Sequence, residues 1–120
     1  MAIVDNVKVE WGEEMENNDN YKSLLNALDL AHKRASVGKG KKRHADNNKF
    51  EEQPICTEMR LMNTTIPAVY QVRKKAIEQL RFDTSASINE WLDVIVYSCA
   101  AVIVLLEKLE QEKINTTNIS

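Results

Sequence analysis

The chain has little of what rigid catalytic or disulfide-built sites need. Its two cysteines, Cys56 and Cys99, stand alone without paired spacing. That excludes a disulfide scaffold and points to a reducing, cytoplasmic setting. No nucleophile elbow, Walker-type loop or zinc-ligand spacing occurs, and Gly38-Lys-Gly-Lys-Lys42 lacks the length and order of a P-loop. Positive charge is not in excess: the formal net charge is −2, which disfavours a dedicated DNA-coating protein. Long apolar runs are missing too. The longest uncharged stretch, Val94 to Leu106, falls short of the roughly 20 residues a bilayer span needs, so it reads as a buried helix. No signal peptide is expected, because the first residues, MAIVDNVKVEWGEE, turn acidic instead of apolar.

What is present is an ordinary globular composition, 43% apolar and 28% charged, enough for a single domain with a small core. Charge is unevenly distributed. Residues 5–19 carry Asp5, Glu10, Glu13, Glu14, Glu16 and Asp19 against Lys8 alone. Residues 32–44 carry Lys33, Arg34, Lys39, Lys41, Lys42 and Arg43 without an acid, flanked by His32 and His44. A solvated surface is the plain reading of such a run. Two of the three glycines, Gly38 and Gly40, lie inside it and make a flexible cationic loop over 37–53.

The expected fold is mainly α, with antiparallel helices, a long C-terminal helix and an acidic N-terminal arm over residues 1–20, whose first ten residues could form a short strand. The helical domain covers 21–113 and a frayed tail 114–120. A first helix should run from Tyr21 to about Ser36, burying Tyr21, Leu24, Leu25, Leu28 and Ala31. Pro54 suits the first turn of a short helix ending near Met62. Thr65 can cap a third helix that runs to about Phe82 on a stripe of Val69, Val72, Ala76 and Leu80. Ser87-Ile-Asn-Glu90 has the form of a capping box, with Thr84 or Ser85 as earlier starts. Beyond it Ile88, Leu92, Ile95, Cys99, Val102, Leu106 and Leu109 keep heptad spacing. The helix is apolar on other faces as well, so a homodimer or higher oligomer is the expected cover.

Three chemistries compete for the charged residues. Cys56 with His44 is a formal nucleophile–base pair, though a plain structural cysteine is commoner. Glu90 and Asp93 share a helix face, and this ExxD with the following Val-Ile-Val-Tyr resembles half the pattern of MazG-like magnesium-dependent nucleotide pyrophosphohydrolases. The other half, EExxE, is missing, and Arg73, Lys74 and Lys75 stand where that family has acids. The competing reading makes Glu90 a cap residue and Asp93 a favourable charge near a helix start. Third, the basic loop supplies backbone N–H groups and cations for phosphate, with Phe50, Tyr70, Phe82, Trp91 and Tyr97 as rings to stack on. Nucleic-acid backbone is the rival partner for that charge, but the run is short and no recognition helix follows. No cofactor or metal is called for.

The series Lys39-Gly-Lys-Lys-Arg43-His44-Ala45, Phe50-Glu-Glu-Gln53-Pro54-Ile55, Arg73-Lys74-Lys75 and the apolar helix with Tyr97, Ala100 and Ala101 resembles the Thoeris anti-defence family of phage signal sponges, over about residues 37–106. The resemblance implies a non-catalytic oligomer that sequesters a cyclic ADP-ribose isomer, or a cyclic oligonucleotide, and so blocks TIR-based defence in the bacterial cytoplasm. It implies phosphate contacts from Lys39, Arg43 and His44, added charge from Arg73 or Lys74, and a ring contact from Tyr97.

Overall fold

The computed structural model describes residues 19–37 and 49–119. Over these residues the protein is mainly α, with four α-helices and no strand. A 3-10 turn, Asp19–Tyr21, leads into α1 (Lys22–Val37). A second turn, Phe50–Glu52, leads into α2 (Pro54–Met62), and α3 (Ile66–Glu78) ends in a 3-10 turn, Gln79–Arg81. The long helix α4 spans Thr84–Ile119 and touches each of the other three. The expected N-terminal strand and the loop residues 38–48 lie outside the described residues.

The helix boundaries follow from local chemistry. Pro54 occupies the first turn of α2, where its missing N–H costs nothing. At the other end Asn63 takes the left-handed conformation (φ 53°, ψ 43°). The Asn63 N–H reaches the Arg60 carbonyl and the Thr64 N–H reaches that of Met59, both at 3.2 Å. That pair of bonds is a Schellman closure, with asparagine in the place glycine usually takes. Two caps differ from expectation. Thr65 makes no side-chain cap bond; the Thr64 hydroxyl accepts from the Ile66 N–H instead. At the head of α4 the cap is Asp83, whose Oδ1 accepts from the Ala86 N–H at 2.8 Å. Ser87 instead donates its hydroxyl to the Gln79 carbonyl at 2.9 Å, tying α4 back to the end of α3. Asp83→Ala should lower the unfolding free energy by about 1 kcal/mol in urea titration, whereas Thr65→Ala should change it little.

Small side chains build the core. Cys56, Met59, Ala68, Ala100 and Val104 form one buried cluster, with Phe50, Ile55 and Ala101 packed against it. Alanines at the crossing points let the helix backbones approach closely. The face of α1 turned inward is therefore Ala27, Ala31, Arg34 and Ala35; Leu24, Leu25 and Leu28 remain exposed, contrary to the expected stripe. On α3 the inward residues are Ala68, Gln71, Val72, Lys75, Ala76 and Gln79, while Val69, Ile77 and Leu80 point to solvent. Lys75 faces inward on α3 because the carboxylates of Glu90 and Asp93 on α4 receive it.

Candidate functional site

The centre of the site is a carboxylate held by two cations. The Arg34 guanidinium grips Asp93 with both prongs, Nε to Oδ1 at 2.7 Å and Nη2 to Oδ2 at 3.3 Å. Lys75 Nζ adds a bond to Asp93 Oδ2 at 3.1 Å and one to Glu90 Oε2 at 3.4 Å. Three helices thus meet at one network, with α1 giving Arg34, α3 giving Lys75 and α4 giving both acids. All four side chains are less than a fifth exposed. Two positive and two negative groups cancel.

The protonation behaviour follows from this geometry. Burial pushes the Asp93 carboxyl up, but the hydrogen bonds from Arg34 and Lys75 outweigh it and hold it below the usual carboxylate range. For Arg34 the bond to Asp93 outweighs burial, and its pKa is raised. A second fork, Arg60 to Glu107 at 2.8 and 2.9 Å, joins α2 to α4 at the surface. Its exposure keeps its worth to about 0–1 kcal/mol.

Beside the network lies a cavity of about 200 Å³, lined by Arg34, Ala35, Phe50, Gln53, Pro54, Ile55, Gln71, Asp93, Val96 and Tyr97. Its wall combines a guanidinium, two rings and two amides. The half-buried side chains of Gln53, Gln71 and Tyr97 make no hydrogen bond among the described residues, so their donors and acceptors are free for a guest. Ala35 and Phe50, which line the cavity, lie close in sequence to the two ends of the basic segment 38–48.

Of the six residues expected to bind ligand, Tyr97 lines this cavity. Lys39, Arg43 and His44 lie outside the described residues. Arg73 and Lys74 are exposed and do not line it. Helical spacing sets Lys74 one turn beyond Gln71 on the cavity's flank, and turns Arg73 away. Arg34, Gln53 and Gln71 are the wall residues that the expected set missed. Of the five rings considered, Phe50 and Tyr97 reach the cavity; Tyr70, Phe82 and Trp91 are exposed.

The geometry also bears on the rival chemistries. Glu90 is a partner of Lys75 and not a cap residue, since the cap is Asp83. Both acids that a magnesium site would draw on are engaged by cations of the same chain. Among the described residues no three His, Cys, Asp or Glu side chains gather in a way that could hold a metal ion. Cys56 is fully buried, and burial pushes its thiol up, away from the nucleophilic thiolate. Among the described residues no helix is long and apolar enough to cross a membrane. No protein-family profile, no curated protein and no solved structure matches the chain.

Proposed function

We propose that this protein binds and sequesters a small phosphorylated nucleotide of the cyclic ADP-ribose type, or a related cyclic nucleotide, without changing it chemically. The observation that carries the reading is the pairing of Asp93 and Glu90 with Arg34 and Lys75 beside a cavity walled by rings and unpaired amides. Neutralised carboxylates are poorly suited to hold magnesium or to activate water, whereas the remaining N–H donors of Arg34 and the amides can orient a polar ring. The role as an inhibitor of TIR-based anti-phage defence rests on the sequence resemblance.

Size divides the labour. A cavity of about 200 Å³ is below the roughly 300–1,000 Å³ of sites that engulf a whole ligand. It accommodates one ring of the guest, between Phe50 and Tyr97, and leaves the phosphates outside. On this reading Lys39, Arg43, His44 and Lys74 supply the phosphate contacts, and the partner of each protomer is a second copy of the chain. Nanomolar sequestration corresponds to about −12 kcal/mol, which charge-assisted phosphate bonds and a stacked ring can supply.

Calorimetric titration with cyclic ADP-ribose isomers tests the proposal. The expected result is nanomolar binding of at least one isomer in magnesium-free buffer, weakened by Lys74→Ala and unaffected by Arg73→Ala. Absence of binding by every isomer sinks it. Salt-sensitive binding to oligonucleotides instead would transfer the basic run to a nucleic-acid partner.

A further inference from the structure

Helix α4 has a second apolar face that the described residues leave largely exposed. Asp93, Tyr97, Ala100 and Val104 mark the side packed on the other helices. On the opposite side lie Ile88, Trp91, Ile95, Ser98, Val102, Leu105 and Leu109, spaced three and four apart. Leu92, Cys99 and Leu106 widen this stripe into a sector of roughly 140° at 100° per residue. Ile88, Trp91, Val102 and Leu105 are each about half exposed: 51%, 47%, 50% and 51%. The expected stripe had Leu92, Cys99 and Leu106 between the shared positions 88, 95, 102 and 109. The exposed face is centred closer to Trp91, Ser98 and Leu105.

We infer that this face is a two-fold interface with a second copy of the chain, the two α4 helices antiparallel and centred between Ser98 and Cys99. This inference stands apart from the ligand reading. The size of the exposed apolar face and its lack of charge carry it, and the midpoint register lets the whole stripe pair with its own copy. Reversed about that centre, the stripe falls on itself: Ile88 against Leu109, Trp91 against Leu106, Ile95 against Val102, Ser98 against Cys99. An isologous contact requires this match of a surface with its own copy. A parallel pair would instead set Trp91 against Trp91 and align the helix dipoles.

Extent agrees. The stripe from Ile88 to Leu109 is roughly 30 Å long at 1.5 Å per residue. A strip of that length and a helix's width is a patch of a few hundred Å², the size that marks an interface. Two such strips bring the total near the roughly 1,000 Å² that a specific interface must clear. No charged residue lies on the sector between Ile88 and Leu109, so closing it desolvates no ion. The cavity lies on the other side of α4, so each protomer's cavity stays open in the pair.

Sedimentation of the full chain tests this. The wild-type protein should have twice the 13.7 kDa chain mass at micromolar concentration, or be an even-numbered assembly of such pairs. Val102→Glu and, separately, Leu105→Glu should weaken pairing at least about a hundredfold, since each buries a charge at the seam. Circular dichroism should show unchanged helix content in both, and Ile77→Glu on α3 should leave the pair intact. Diamide, as oxidant, should join the two thiols of Cys99 into one disulfide, because Cys56 is buried. Cys99→Ser should abolish the link. In that background Ile88→Cys should not cross-link, because the antiparallel register sets the two copies of position 88 at opposite ends. A wild-type monomer, a pair indifferent to both glutamates, no Cys99 link, or a link at position 88 would each overturn the inference.

Discussion

Replacing Asp93 with alanine should destabilise the protein by roughly 2–4 kcal/mol, the largest stability loss expected at any charged position. The substitution leaves Arg34 and Lys75 facing each other, both less than a fifth exposed, with only Glu90 to balance them. Removing Lys75 together with Asp93 should recover part of the loss, because the second change takes away an uncompensated charge. Chemical denaturation of the single and double variants measures this coupling. The sign is informative. Carboxylates gathered to bind a metal repel one another, and removing one commonly stabilises a fold. Destabilisation marks Asp93 as a structural counter-ion.

Acid should reproduce the effect. The folded-state pKa of Asp93 is lowered, so its contribution to stability is fully present above the ordinary carboxylate range, about pH 5. It is lost as pH falls through the depressed folded value. Glu107 is also lowered, chiefly by its bond to Arg60, and acts in the same direction. Wild-type stability should therefore fall more steeply below about pH 4 than that of the Asp93→Asn variant. Parallel curves would mean that the Arg34 fork contributes no net stability.

The second large effect concerns the guest. Tyr97→Ala should weaken nucleotide binding by about 10–100-fold, since stacking on an aromatic side chain is worth roughly 1–3 kcal/mol per base. Tyr97→Phe keeps the ring and should cost less, about 0.5–1.5 kcal/mol for one hydrogen bond. Gln71→Ala should fall between them if its amide meets a polar ring edge. All three should retain helix content, because Tyr97 and Gln71 lie on the cavity wall and make no hydrogen bond to the core network among the described residues. Equal affinity for wild type and Tyr97→Ala would place the guest elsewhere.

The helices were legible in the sequence because their ends are written in local chemistry: Pro54 opens α2, Asn63 closes it, and Pro67 sits in the first turn of α3. The faces were less legible. Periodicity assigns apolar residues inward, so it buried the leucines of α1 and the valine–leucine stripe of α3. The fold instead packs alanines at the helix crossings and turns Gln71 and Lys75 inward. Those choices depend on partners far away in the chain: Arg34 and Asp93 are separated by 59 residues. A local signal did exist. Asp93 is a lone acid within Trp91-Leu92-Asp93-Val94-Ile95, and Arg34 stands beside Ala31 and Ala35 on the smallest face of α1. An ionised group in such surroundings requires a counter-ion. Tyr97 stands out in the sequence as a polar tip within an apolar run, and the structure sets it on the cavity wall.

The measurement that addresses the central claim most directly is the fate of the guest. Protein saturated with a tightly bound cyclic ADP-ribose isomer in the presence of magnesium is heated, and the released nucleotide is identified by chromatography and mass. Asp93 and Glu90, each paired with cations, should leave it unaltered, one intact molecule recovered per molecule bound. Recovery of a cleaved product, lost again in the Asp93→Asn variant, would contradict the account and return both carboxylates to catalysis.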